Sequence, residues 1–285
     1  MNLVCVLMWL VAAAGQAKAV QQPTVIDRAF NRMYNCDFAG AHAILDEQIR
    51  TYPEDPLLYS VQAAAYLYSE FHRLKILETD FFADDNKITD KKILKPDPWS
   101  RSQLFQKTGE ARKRAAAKLA SDPKDRNAMF ALCMASEVEA DYTSLVEKKY
   151  IRSYSLSKES QLYARKLLSM NPPFYDAYLT LGSVEYVVGN LNFFFKLFVR
   201  FDQIQGSKQK AVEELKRVVE NGRYYPPFAK ILLSVIYLRE NQPQQALALL
   251  QEMQRDFPEN PLIKDEVSRI SGRLSRDRQG DTSRR

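Results

Sequence analysis

Apolar positions along most of this chain recur every three or four residues, which is the spacing of one face of an α-helix. Residues 39–49 follow this spacing and end at Tyr52-Pro53-Glu54-Asp55-Pro56. Residues 246–253 repeat the pattern and end at Phe257-Pro258-Glu259-Asn260-Pro261. In both copies the first proline ends a helix. Because the alternation typical of strands is almost absent, the pattern predicts an all-α fold.

Several segments resemble the tetratricopeptide repeat, a helix-turn-helix unit of about 34 residues. The clearest first helix is Tyr178-Leu-Thr-Leu-Gly182-Ser-Val-Glu-Tyr186, followed by Gly189-Asn190 at the turn. The spacing between units is irregular, so an irregular helical bundle is the alternative interpretation. Further first helices are indicated by Tyr59, Ala63 and Tyr66 and by Leu233 and Tyr237, and closing prolines by Pro53, Pro123, Pro172 and Pro258.

The resemblance covers about residues 24–260 and implies a right-handed superhelix of about five helix pairs with insertions. A terminal helix that begins near Pro261 would cover the exposed end of the stack. The predicted domains are a leader over 1–19, a repeat domain over 20–275 and a disordered basic tail over 276–285. The predicted pairs span about 24–52, 56–122, 124–171, 174–223 and 225–257.

The first residues are typical of a secretory signal peptide. An uncharged apolar run over 3–14 precedes Ala17-Lys18-Ala19, in which Ala17 and Ala19 form a small-residue cleavage signature. A run of about a dozen residues is shorter than the roughly 20 needed to span a bilayer, which disfavours a permanent anchor. The sequence therefore predicts cleavage after Ala19 and a periplasmic or secreted protein.

Composition and charge exclude some classes of protein. With 46% hydrophobic residues and only nine glycines, the chain is neither disordered nor collagen-like. The net charge of +6 arises partly from five arginines within 273–285. The acidic block 37–85 and the basic block 87–126 cancel each other, as expected for neighbouring helices of complementary charge. This distribution disfavours a nucleic-acid site.

The two cysteines of the predicted mature chain occupy positions where a helical repeat requires a small residue. In the repeat alignment, Cys36 lies at an inter-helix turn where glycine is usual, and Cys133 lies at the first-helix glycine. We expect buried thiols here rather than a disulfide, although an oxidising compartment would allow pairing. His42 and His72 are the only histidines, and no ligand spacing for zinc is present.

The sequence contains no motif for catalysis or for a cofactor. No glycine-rich phosphate loop, nucleophile elbow or metalloprotease motif occurs. Glu137, Glu139 and Asp141 place carboxylates on one predicted helix, where we interpret them as solvated rather than as an acid/base pair. We therefore predict a protein that is not an enzyme and that uses no cofactor.

The first helix of each repeat lines the concave wall of such an array, which usually binds a peptide or a helix of a partner protein. Six residues are predicted to face this wall, although packing against a neighbouring repeat is an equal alternative for each. They are Tyr68, Asn127, Phe130, Ser183, Tyr186 and Arg239.

The segment 191–201 is unusually rich in phenylalanine and contains only Lys196 and Arg200 as charged residues. As a helix it would suit either insertion into a membrane surface or burial against protein. Its short length favours burial within the groove or by a partner protein. Its predicted contact residues are Phe193, Phe194, Phe195, Phe198 and Phe201.

Together these features favour a non-catalytic helical-repeat scaffold that binds a protein or peptide in the bacterial cell envelope. A peripheral membrane module that uses the phenylalanine segment is the alternative. A third hypothesis is an accessory protein that holds the substrate of an envelope enzyme without performing chemistry.

Overall fold

The computed structural model describes residues 23–78, 94–170, 173–190 and 206–282, and every regular element in these ranges is helical. The predicted all-α class is therefore confirmed. The α-helices in these ranges are α1 Val25–Tyr34, α2 Phe38–Thr51, α3 Pro56–Arg73, α4 Pro98–Ser121, α5 Arg126–Asp141, α6 Tyr150–Leu168, α7 Tyr178–Asn190, α8 Lys208–Asn221, α9 Pro226–Arg239, α10 Pro243–Asp256 and α11 Pro261–Thr282. A π-helical turn, Tyr142–Val146, follows α5, and a 3-10 turn, Tyr175–Ala177, precedes α7.

Within the described residues, each of the five predicted ranges contributes two α-helices that pack against each other. The pairs are α1 with α2, α3 with α4, α5 with α6, α7 with α8, and α9 with α10. Helix α11 begins at Pro261, as the sequence predicts, and packs against α10. Helix α3, the first of the second pair, also packs against α5, the first of the third pair. These two consecutive pairs therefore share an interface.

The two similar proline turns fold in the same way. The residues that end α2 and α10, Tyr52 and Phe257, have nearly equal backbone angles, with φ/ψ of −128°/67° and −132°/69°. Asp55 and Asn260 then accept hydrogen bonds from backbone N–H groups of the following helix, at 3.0 and 3.1 Å. These side chains satisfy N–H groups that have no partner within the helix. The repeated sequence thus encodes one turn geometry at two distant places.

The turns inside the pairs also share a feature, a residue with left-handed backbone. Cys36, Lys75, Lys148 and Asn241 have φ between 56° and 62°, and each follows the first helix of its pair. This conformation ends a helix and is easiest for glycine. Cys36 therefore lies at a turn between helices, as predicted, in the backbone conformation that glycine adopts most easily.

Both cysteines in the described ranges are free thiols, and Cys133 is fully buried. The Cys133 sulfur lies 3.4 Å from the Thr180 hydroxyl and 3.5 Å from the Ser160 carbonyl. Burial raises the pKa of Cys133, and it raises the pKa of Cys36 to about 11. These thiols are therefore predominantly protonated at neutral pH.

The first and last parts of the chain contact each other. The Tyr34 hydroxyl on α1 donates a hydrogen bond to the Tyr224 carbonyl at 3.0 Å, and Asp27 pairs with Arg223 at 2.9 Å. The Asn260 amide donates to the Tyr34 carbonyl at 2.6 Å. These contacts join residues 190 to 226 positions apart in the sequence.

An aromatic cluster fills the interior between α1, α5 and α9. The Phe130 ring lies 4.5 Å from the Phe174 ring and 5.7 Å from Tyr225, while Phe30 lies 5.6 Å from Tyr225. Such tilted and edge-to-face pairs stabilise a core beyond their buried area. A continuous open groove along the first helices is therefore absent from this part of the molecule.

Candidate functional site

Two carboxyl groups lie side by side in the interior, on α5. Glu137 and Asp141 are four residues apart, so they occupy one face of this helix, one and two turns beyond Cys133. Thr180, on α7, donates a hydrogen bond from its hydroxyl to Glu137 Oε1. This bond joins the first helices of the third and fourth pairs at the carboxyl group.

Tyrosine side chains surround these carboxyls. The pKa of Tyr68, on α3, is raised by burial and next by the nearby charges of Asp141 and Glu137. The pKa of Tyr225 is raised well above its usual value by burial and then by Glu137. We call Tyr68, Glu137, Asp141, Thr180 and Tyr225 the inner cluster. Its members come from α3, α5 and α7 and from the residue that precedes α9.

Burial dominates the electrostatics of the inner cluster. It raises the pKa of Glu137 to about 8, partly offset by the hydrogen bond from Thr180, and that of Asp141 to about 7. Glu137 and Asp141, taken as whole residues, are nevertheless partly exposed rather than fully buried. Among the described residues, Asp141 has neither a hydrogen-bond partner nor an ion-pair partner for its carboxyl group.

The expectation that these carboxylates are ordinary solvated groups is wrong. Glu139, on the other side of α5, is only 8% exposed and pairs with Arg112 at 3.3 Å. Arg112 also contacts Glu159 at 2.8 Å and so ties α4, α5 and α6 together. Neighbouring helices pack against both faces of α5 and reduce the contact of these carboxyls with water. The spacing of residues along one helix does not show which other helices cover it.

Two predicted wall residues lie near the inner cluster. Tyr68 is a member of it, and Ser183 is partly buried one helical turn beyond Thr180. Two other predicted wall residues, Arg239 and Tyr186, contact each other across neighbouring first helices. The Arg239 guanidinium of α9 lies 5.9 Å from the centre of the Tyr186 ring of α7. These four residues keep partly accessible surfaces.

The other predictions need correction or fall outside the described ranges. Phe130 is 1% exposed and belongs to the aromatic cluster, so no partner can reach it in this structure. Asn127 is exposed, and its amide donates to Asp55 at 2.7 Å beside an open surface pocket of about 430 Å³. Outside the described residues lie Ala17, Ala19, Phe193, Phe194, Phe195, Phe198 and Phe201.

The sequence did contain a signal for the inner cluster. Cys133 was predicted at a tightly packed position, and steps of four residues lead from it to Glu137 and Asp141 along the same helix face. That spacing places both acids on the packed side of α5. Tyr225 and Thr180 carry no comparable signal, since their proximity depends on how separate pairs stack.

The chemistry of the inner cluster suits recognition of a positively charged group. Two carboxyls and two tyrosines can surround an ammonium or guanidinium group through ionic, hydrogen-bond and cation–π contacts. Within the described ranges, no group of three or more histidine, cysteine or acidic side chains is arranged to hold a metal ion. A search of the same ranges finds no helix with the length and apolar character needed to cross a membrane.

No protein-family model matches the chain, and no curated protein matches it. The function is therefore inferred from the inner cluster and its surroundings.

Proposed function

We propose that the protein is a non-catalytic helical-repeat scaffold that binds a protein or peptide partner in the bacterial cell envelope. The five consecutive helix pairs support a tetratricopeptide-like superhelix, in which first helices form the binding wall. The observation that carries the proposal is the inner cluster, where two carboxyls share one face of α5 on residues that are partly exposed. A buried ionised carboxyl without a cation is unfavourable, so the inner cluster is suited to a ligand that supplies one.

The partner feature that fits best is a single lysine or arginine side chain. A cation beside Glu137 and Asp141 would stabilise their ionised forms, and the Tyr68 ring would add a cation–π contact. Phe130, in the aromatic cluster, is 1% exposed and packed against Phe174, so this part of the interior is closed to a partner. The partner therefore inserts a short segment rather than lying along all five pairs.

Site-specific photo-crosslinking in cells tests this binding mode. A photoreactive residue at Ser183, beside the inner cluster, should give a discrete partner adduct, while one at Leu162, 52% exposed on α6, should not. The double variant Glu137→Gln, Asp141→Asn should abolish the Ser183 adduct. Glu213→Gln with Glu220→Gln replaces two carboxyl groups at exposed positions and serves as the control. An adduct that survives the inner double variant would contradict the proposal.

Export is the second part of the proposal and is supported by the apolar run before Ala17-Lys18-Ala19. The mature chain should begin at Val20. N-terminal sequencing of protein isolated from the envelope checks this, and a chain that retains Met1 in the cytoplasm would contradict it.

A further inference from the structure

The described residues around Glu137 and Asp141 supply hydrogen-bonding groups rather than positive charge. Thr180 donates to Glu137 Oε1, and Ser160 of α6 makes a second side-chain hydrogen bond to this carboxyl group. The titratable side chains that face the two acids from their own helix and from its neighbours are Tyr68 of α3, Cys133 of α5 and Tyr225 before α9. Within the described ranges, neither carboxyl group makes an ion pair.

The basic side chain that does pair with α5, Arg112 of α4, lies on another face of this helix. Arg112 contacts Glu139 at 3.3 Å and Glu159 of α6 at 2.8 Å. Position 139 is two residues from both 137 and 141, which turns its side chain by about 200° around the helix axis. Arg112 therefore neutralises Glu139 and Glu159 rather than the acids of the inner cluster.

Two neighbouring carboxyl groups without a cation hold on to their protons. Burial raises the pKa of Glu137 to about 8, and the charge of Asp141, one helical turn away, adds to this effect. Burial alone raises the pKa of Asp141 to about 7. Near neutral pH the empty pair therefore keeps at least one proton. Burial also raises the pKa of Tyr68, Cys133 and Tyr225, so these groups stay neutral as well.

We propose that the inner cluster exchanges a proton for the cation of the partner, so that acidic conditions release the partner. The inference rests on the proposed function, because it concerns the same lysine or arginine side chain. When the ammonium or guanidinium group enters, one carboxyl group gives its proton to water, and the carboxylate that forms pairs with the cation. One positive charge leaves as another arrives, so the charge of the cluster does not change.

The exchange fixes how strongly binding depends on pH. If one proton is released for each partner bound, the binding constant rises about tenfold per pH unit while the empty pair is fully protonated. We expect this rise between about pH 5 and pH 7, and a much smaller change above about pH 8. There the empty pair has already lost a proton, so the cation enters without displacing one.

Photo-crosslinking from Ser183 in isolated envelope fragments, buffered at a series of pH values, tests the exchange. The adduct yield at limiting partner concentration should rise about tenfold or more from pH 5.5 to pH 7.5. Asp141→Asn should move this rise to higher pH, because Glu137, which has the higher pKa, then titrates alone. Glu137→Gln should leave the rise near pH 7. The exposed control, Glu213→Gln with Glu220→Gln, should behave as the wild type does.

The outcomes separate this inference from the proposed function. A Ser183 adduct with the same yield at every pH, or with the same pH dependence in Asp141→Asn and Glu137→Gln, would overturn the exchange and leave partner binding in place. No adduct at any pH would contradict both.

Carbon-13 NMR of the purified protein checks the empty pair without any partner. The side-chain carboxyl carbons of Glu137 and Asp141, assigned with the two single variants, should titrate near or above neutral pH. Titration of both groups below about pH 5, as in an unfolded chain, would also overturn the exchange.

Discussion

At the scale of single residues, Glu137 and Asp141 give the protein an unusual response to pH. Burial raises the folded-state pKa of Glu137 from 4.5 to about 8 and that of Asp141 from 3.8 to about 7. The folded state therefore keeps protons that the unfolded chain releases at lower pH. The stability from the neutral carboxyls is complete below the unfolded pKa values and is lost as the pH rises through the folded ones.

We expect the free energy of unfolding to fall by a few kcal/mol, as an order of magnitude, between about pH 5 and pH 8. In the Glu137→Gln variant, the free energy of unfolding should depend much less on pH, because glutamine stays neutral and can still accept the Thr180 hydrogen bond. Urea unfolding at several pH values measures this dependence for the wild type and for the variant. A wild-type stability that is constant or rises over this window would show that the carboxyls are not buried in this way.

Asp176 is another buried carboxyl, with a different role. It is 2% exposed, and its oxygens accept hydrogen bonds from the backbone N–H groups of Arg223, Tyr224 and Tyr225, at 2.7 to 3.0 Å. Asp176→Ala should cost about 2–4 kcal/mol, because it leaves these donors without their acceptor. Asp176→Asn keeps one acceptor oxygen and should cost less. If urea unfolding shows the same loss of stability for both variants, this role of Asp176 is contradicted.

At the scale of helices, Gly182 allows α7 and α8 to approach closely. A Cβ atom there would lie 3.1 Å from Leu215 Cγ and 3.2 Å from the Ala211 backbone oxygen. The repeat alignment predicted this close contact, and the structure confirms it. Gly182→Leu should therefore destabilise the protein by about 1–3 kcal/mol through overpacking.

Gly109 provides the control for this substitution. It also lies inside a helix, α4, but a Cβ atom there would meet nothing within 4 Å. Gly109→Ala should stabilise the protein by about 0.5–1 kcal/mol through helix propensity. Thermal unfolding should therefore show a lower unfolding temperature for Gly182→Leu and a higher one for Gly109→Ala. A neutral Gly182→Leu variant would mean that α7 and α8 do not pack in this register.

Helix positions and turns could be predicted from the sequence because they depend on local signals. Proline after a helix, a capping side chain and three- or four-residue apolar spacing act within a few residues of one another. The environment of Glu137 depends instead on α3, α7 and the residues before α9, which are distant in the sequence. Helical spacing identifies the residues on one face but not what covers that face, and for this reason Phe130 was assigned to an accessible wall.

At the scale of the whole molecule, contact between the first and last pairs encloses part of the interior. No local pattern links Tyr34 to Tyr224 or Asp27 to Arg223, so the sequence predicted an array with an accessible concave wall. In the structure, α1 and the residues before α9 enclose the aromatic cluster. In our proposal, the inner cluster with Glu137 and Asp141 is the remaining part of the wall that a ligand would use.

A distance measurement between the two ends of the array tests this account most directly. Spin labels at Asn31 and Glu259, both exposed, would report on the contact in a Cys36→Gly background that keeps the left-handed turn. Cys133 is fully buried and should not react. We expect one short, narrow distance distribution by pulsed electron spin resonance. A long or broad distribution would mean that the first and last pairs are separated and that the inner wall is open.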